Sequence, residues 1–158
     1  MKKSIFMSDI ARIFTVVIFI VQYAAGVEIT SWMTDMLSSV NSKRAKQNLV
    51  PLCYNAKVIA AAVTHNEDMV KEDVLDHTGS DGSDPGDRLV RKEYDWNSYG
   101  ENVAWGQISV KEVMKAWMKS DGHKANILND SVVHFGAAWD VSTNYWTQVS
   151  FPWFFNCI

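Results

Sequence analysis

Apolar positions recur at intervals of three and four between Thr30 and Gln47, where Trp32, Met33, Met36, Leu37 and Val40 mark one side of a predicted amphipathic helix. Thr30 or Ser31 is its N-cap candidate, and the chain must leave the helix before Val50-Pro51. A second helix is predicted after Asn55, from Ala56 to about Asp73, with Val58, Ile59, Ala62, Val63, Asn66, Met69 and Val70 in or beside its inner stripe. Thr78 to Asp87 is turn chemistry throughout, followed by a short helix over Arg88 to Tyr94 and then a strand-like stretch. Ser109 and Glu112 form a capping box for a third long helix whose buried stripe is Val113, Met114, Trp117 and Met118 and whose stop is Gly122. Ser120 to Leu128 reads as a turn with at most one more helical turn. Val132 to Val141 and Asn144 to Trp153 are aromatic and β-branched, as expected of two antiparallel strands joined by a short loop. Helices first and paired strands last give an α+β layered domain, with no internal repeat, low-complexity tract or second domain.

The first residues follow a different pattern. Met1-Lys2-Lys3 and Arg12 precede an apolar run from Ile13 to Val21, and Ala24, Ala25 and Gly26 follow it, the layout of a secretory signal peptide. Gln22 interrupts the run, which falls short of the roughly 20 residues that span a bilayer. Residues 1–26 are therefore expected to be a cleaved signal peptide and residues 27–158 a secreted, extracellular domain with no stable membrane insertion; Asp9, atypical in the basic region, leaves room for an uncleaved anchor as the minor alternative. Cleavage removes Lys2, Lys3, Arg12 and Asp9, which takes the formal charge from −3 to −5. With Lys43-Arg44 and Arg91-Lys92 read as isolated pairs on solvated faces, a chain this acidic is a poor partner for nucleic acid.

The two cysteines, Cys53 and Cys157, sit near opposite ends of the mature domain. In an exported protein such a pair reads as one disulfide closing a long loop, with two free thiols as the alternative. Metal ligation is disfavoured, because no second Cys or His lies at ligand spacing from either. Asn129-Asp130-Ser131 is a glycosylation sequon, meaningful in a host that glycosylates exported proteins.

Candidate chemistry concentrates between His77 and Gln148. A serine hydrolase elbow is absent, since Gly79-Ser80-Asp81-Gly82 has the wrong spacing; His65-Asn66-Glu67-Asp68-Met69 lacks the second His of a zincin; the Asp81 to Asp87 loop fails the EF-hand pattern. His77, Glu101 and His123 stand apart, because each lies at the end of a predicted element, away from the apolar stripes. Singly, each has a structural role available: a turn residue, a carboxylate accepting backbone N–H groups, and a cation at a helix C-terminus. Together they suit an imidazole–carboxylate pair or two imidazoles on a divalent metal such as zinc, with His77 and His123 as its ligands. His65 and His134 read as scaffold.

The string Tyr99-Gly100-Glu101-Asn102-Val103-Ala104-Trp105-Gly106 stands between His77-Thr78-Gly79-Ser80-Asp81-Gly82-Ser83 upstream and Trp117 to Leu128 downstream, with Tyr145-Trp146-Thr147-Gln148-Val149 closing the chain. These four motifs, in this order, resemble the CAP superfamily: cysteine-rich secretory proteins, antigen 5 and pathogenesis-related-1 proteins, also called SCP-like extracellular proteins. The resemblance covers about residues 35 to 155 and is closest to a microbial branch. It implies a three-layer α/β/α sandwich with a large central cleft. It also implies that His77 and the Glu101 of the Gly-Glu-Asn motif face that cleft. Where many relatives carry a second Glu and a second His, this chain has Ser120 and Tyr145, so the four-residue constellation is incomplete; His123 is the candidate substitute for the missing imidazole.

Two classes of function follow. The favoured one is a binding module that takes a hydrophobic small molecule, a sterol or fatty acid, or a partner protein in the cleft, lined by His77, Glu101, His123, Ser120 and Tyr145. The other is a hydrolase or metal-dependent protein built on His77, Glu101 and His123, for which the chain offers no committed nucleophile.

Overall fold

The computed structural model describes residues 28–152 and 157–158; the predicted signal peptide lies outside the described residues. Helix α1 (Ser31–Ala45) leads through a two-residue strand β1 (Cys53–Tyr54) into α2 (Ala56–Glu72). A short α3 (Pro85–Val90), strand β2 (Gly100–Trp105) and helices α4 (Val110–Trp117) and α5 (Asp121–Ile127) follow, before the hairpin of β3 (His134–Asp140) and β4 (Tyr145–Phe151). The sheet order is β1-β3-β4-β2, with β1 parallel to β3 and the other two pairings antiparallel.

Strand alternation sorts the core into two layers. Phe135, Ala137 and Trp146 point to one face, where they join Met36 and Val40 of α1, Val113 and Trp117 of α4 and Ile127 of α5. Ala138, Val149 and Phe151 point to the other, against Val58, Ala61 and Ala62 of α2 and Leu89 of α3. Helices thus cover both faces of one sheet, the α/β/α sandwich. The approach of α2 is close at Gly136, where a Cβ would lie 2.5–2.6 Å from the backbone of Val58 and Ile59. Asn55 starts α2 by accepting the amides of Lys57 and Val58, and Asp73 ends it in the left-handed conformation (φ 53°).

Several local expectations are corrected. The short helix begins at Pro85 rather than Arg88, because Asp84 and Asp87 cap each other's backbone amides and Pro85 supplies the helical φ; the turn residues themselves nucleate it. The third helix stops at Trp117, and Ser120 opens a separate helix with Gly122 inside it. His123 consequently sits in the first turn of α5, where the dipole no longer favours a cation. Strand β1 has no sequence signal, being two residues long. Arg44 is fully buried instead of solvated: its guanidinium donates to the carbonyls of Val50, Ile127, Asn129 and Val132 at 2.7–3.1 Å and ties α1 to the loop after α5. Cys53 and Cys157 form a disulfide across 104 residues. No described helix is long and apolar enough to cross a membrane.

Candidate functional site

Glu101 is the second residue of β2 and pairs with Val149, which turns its side chain toward α2; only 2% of that side chain is exposed. Three groups from three elements meet its carboxylate. His77, in the loop after α2, hydrogen-bonds Oε1 through Nδ1 at 2.9 Å, and Arg88 of α3 donates to Oε2 at 2.8 Å. His65 of α2 brings Nε2 to 3.7 Å from Oε1, beyond hydrogen-bond range, and places that nitrogen 2.8 Å from the Asp76 carbonyl. A carbonyl only accepts, so Nε2 carries the proton and Nδ1 is left buried with no hydrogen-bond partner among the described residues. Arg88 also donates to the carbonyls of His77 and Ser83, so one buried guanidinium fixes the carboxylate and both ends of the Gly/Asp loop.

The electrostatics follow from this geometry. The hydrogen bond to Glu101 raises the His77 pKa above the usual imidazole value, against partial desolvation. Burial lowers that of His65, and the Arg88 charge adds to the effect while Glu101 opposes it. His123 is lowered by burial and then by the charge of His77, which places the two imidazoles within electrostatic range of each other. Nearby, Asp68 accepts both the amide and the hydroxyl of Ser80, at 2.7 and 2.5 Å, and these bonds hold its carboxyl below the ordinary range.

The structure therefore brings His77 and Glu101 into contact and keeps His123 near, half-buried against Trp117 with ring centroids 6.5 Å apart. The neighbouring Asn102 points to the opposite sheet face, donating to Gln148 Oε1 at 2.8 Å and to the His123 carbonyl at 3.2 Å, while Asn126 donates to the Glu101 carbonyl and to Asn102 Oδ1, both at 2.9 Å. Adjacent residues of one motif thus build the site on one face and hold α5 on the other. Ser120 is the N-cap residue of α5 and makes no side-chain capping bond. Tyr145 faces the same layer as Glu101, but pairs with Trp105, four residues along β2, roughly 13 Å away at strand rise. Its hydroxyl donates to Asp73 at 3.1 Å, so the structure does not gather Tyr145 with the others.

Arg88 and His65 were not among the residues picked from the sequence. A single Arg beside a turn carries no mark, but His65 did leave one: it falls in step with Val58, Ala62 and Met69, a polar residue on an apolar stripe.

A resident zinc ion does not fit this group. Both Glu101 oxygens are engaged, one by a guanidinium whose charge opposes a cation, and His77, Glu101 and His123 do not bring three ligand atoms within 4.8 Å of one another. Among the described residues, only Cys53, His134 and Cys157 meet that distance. What the group can do is hold an accessible imidazole, 55% exposed in His77, in a fixed tautomer on a buried carboxylate. Among the described residues no hydroxyl or thiol hydrogen-bonds it.

Two cavities flank α2. One of ≈ 300 Å³ is lined by charged and polar groups including His65, Asp68, Ser80, Arg88 and Arg91. The other, ≈ 630 Å³, runs between the start of α1, α2 and β3, with Trp32, Met33, Ile59, Val63, Ala138 and Trp139 in its walls. Thr64 and Glu67 border both.

Comparison with known proteins agrees with this architecture. The uncharacterized protein YkwD of Bacillus subtilis (strain 168) is 32% identical over 125 residues, which is 79% of this chain and 49% of YkwD. An extracellular protein containing a SCP domain from Bacillus anthracis str. Ames superposes with a TM-score of 0.71 at 25% identity, over 76% of this chain and 40% of that one. An outer surface protein from Borrelia burgdorferi shares the fold, with a TM-score of 0.71 at 21% identity over 80% of this chain and 96% of its own. The chain thus spans about half the length of YkwD or less of such longer relatives. The model of the cysteine-rich secretory protein family, CAP, matches residues 37–158, and with the fold, the Gly-Glu-Asn strand and the His77–Glu101 contact already in place, the chain belongs to that family.

Proposed function

We propose that this CAP domain is an exported binding module, and that its ligand is a hydrophobic small molecule of the sterol or fatty-acid class held in the groove between α1, α2 and β3. The observation that carries this reading is the groove itself: its ≈ 630 Å³ falls in the range of small-molecule sites, and indole, thioether and aliphatic groups form about half of its wall, with Glu28, Glu67, Lys92 and Asp140 among the polar residues that complete it. The sequence had put such a ligand in the cleft of His77 and Glu101. The charged lining beside that group suits an apolar molecule poorly, so the binding reading moves across α2 to the neighbouring groove. Arg88, Glu101 and His77 then serve to hold the loop between α2 and α3 in one geometry.

The test is titration of the purified protein with a fluorescent sterol and a fluorescent fatty acid. Saturable binding is expected, weakened at least about tenfold by Val63→Glu, which puts a charge into the groove from a partly exposed position, and unchanged in His77→Ala. Absence of saturable binding to either ligand overturns the reading.

The exposed imidazole on a buried carboxylate supports a second reading, a general base acting on a bound substrate. Ester and peptide turnover that His77→Ala and Glu101→Gln both abolish would select it over the first.

A further inference from the structure

Parallel pairing sets Cys53 of β1 directly against His134 of β3, and Cys157 closes on Cys53 from 104 residues away. One ligand atom from each lies within 4.8 Å of the other two. A Cys2His set holding tetrahedral zinc needs sulfur and nitrogen atoms roughly 3.3–3.8 Å apart, given bonds of about 2.3 Å to sulfur and about 2.0 Å to nitrogen. Once the S–S bond is broken, parting the two sulfurs by roughly 2 Å would bring the three side chains to that spacing.

Their positions do not depend on the S–S bond alone. The amide of Cys53 donates to the Val133 carbonyl at 2.9 Å, that of Asn55 to Phe135 at 3.2 Å, and that of Ile158, next to Cys157, to Tyr54 at 3.0 Å. The imidazole is oriented as well. Tyr94 donates its hydroxyl proton to the Pro152 carbonyl at 2.9 Å, so at 2.6 Å it accepts from His134 Nδ1–H, which leaves the metal-binding lone pair on Nε2. A second hydrogen bond of this kind on the other ring nitrogen is what fixes a zinc-ligating histidine. His134 is fully buried, while Cys157 is exposed, which gives a reductant and an ion a side from which to enter.

We propose that the Cys53–Cys157 bridge is the oxidised, closed form of a zinc site made by Cys53, Cys157 and His134, with a water in the fourth position. Two equivalents of a thiol reductant open it: two electrons and two protons pass to the cysteine sulfurs and the reductant leaves as its own disulfide. Zinc then displaces the two thiol protons and binds both thiolates and the imidazole. This site is separate from the groove and from the Glu101 cluster.

The probe is cobalt(II), which reports thiolate ligation by a charge-transfer band and tetrahedral geometry by intense visible bands. The full chain is reduced with a water-soluble phosphine, which takes oxygen from water and does not compete as a thiolate ligand. Phosphine is then removed and cobalt titrated in. One cobalt per chain is expected, displaced by zinc, with no band in the oxidised protein, a weaker band in Cys157→Ser, and at least about tenfold weaker binding in His134→Gln. Circular dichroism follows the fold throughout. The proposal is overturned by a folded, reduced chain that takes up no cobalt, by spectra identical in wild type and both variants, or by a reduced chain that is unfolded and stays so with zinc.

Discussion

His77 draws its character from a single partner. Because the bond to Glu101 raises its pKa in the folded protein, protonated His77 stabilises the fold, and that contribution is complete below the unfolded value of about 6.5 and fades as pH rises through the higher folded value. Wild type should therefore exceed His77→Gln in stability at pH 5.5 by a margin that shrinks toward pH 9, measured by urea midpoints across the range. His65 runs the other way: its lowered pKa favours the neutral ring, so its contribution is present above about 6.5 and lost as pH falls toward the depressed folded value. The opposite signs let the two histidines be separated in one pH series. Of this cluster, His77 and Glu101 were legible as residues, since a Gly/Asp loop and a Gly-Glu-Asn strand announce polar groups at element ends. Arg88 and His65 were not singled out, because their meaning lies in a carboxylate 13 and 36 positions later in the chain.

The elements show where local chemistry suffices and where it fails. Asn55, Asp84 and Ser109 each cap a helix through side-chain bonds to backbone amides, an interaction that closes within a few residues and is therefore written locally. The break between α4 and α5 is different. Trp117 is buried in the core layer that also holds Met36 and Val40 of α1 and donates its indole N–H to the Val103 carbonyl at 3.3 Å, anchoring the end of α4 to β2, while the sequence pattern carries that helix on to Gly122. Docking of α2 on the sheet depends on Gly136, whose absent side chain admits the helix backbone. Gly136→Ala should cost about 1–3 kcal/mol, since backbone atoms of Val58 and Ile59 cannot yield as a flexible side chain would; thermal melting against wild type checks this. A variant as stable as wild type would mean that α2 shifts freely.

For the molecule as a whole, the disulfide joins residues 104 positions apart, so the chain-entropy argument assigns it up to ~4–5 kcal/mol. The paired substitution Cys53→Ser with Cys157→Ser should lower the urea midpoint accordingly without changing the fold seen by circular dichroism. A layered α+β domain was legible because stripes with period 3.6 and runs with period 2 can each bury only one side, whereas helices on both faces of the sheet were what the family resemblance implied. The sequence by itself determined the helical and strand segments, most of their caps, the acidic balance and the His and Glu that meet, because these rest on spacing within one element or on motif order. The tertiary structure alone decided that Arg44 is buried on four carbonyls, that Tyr145 is turned away to Asp73, that the apolar groove lies beside the charged cleft, and that His134 faces two cysteines. Each of those contacts joins groups whose separation along the chain is large, and only the register of strands and the docking of helices, set by packing across the whole core, brings such groups within bonding distance.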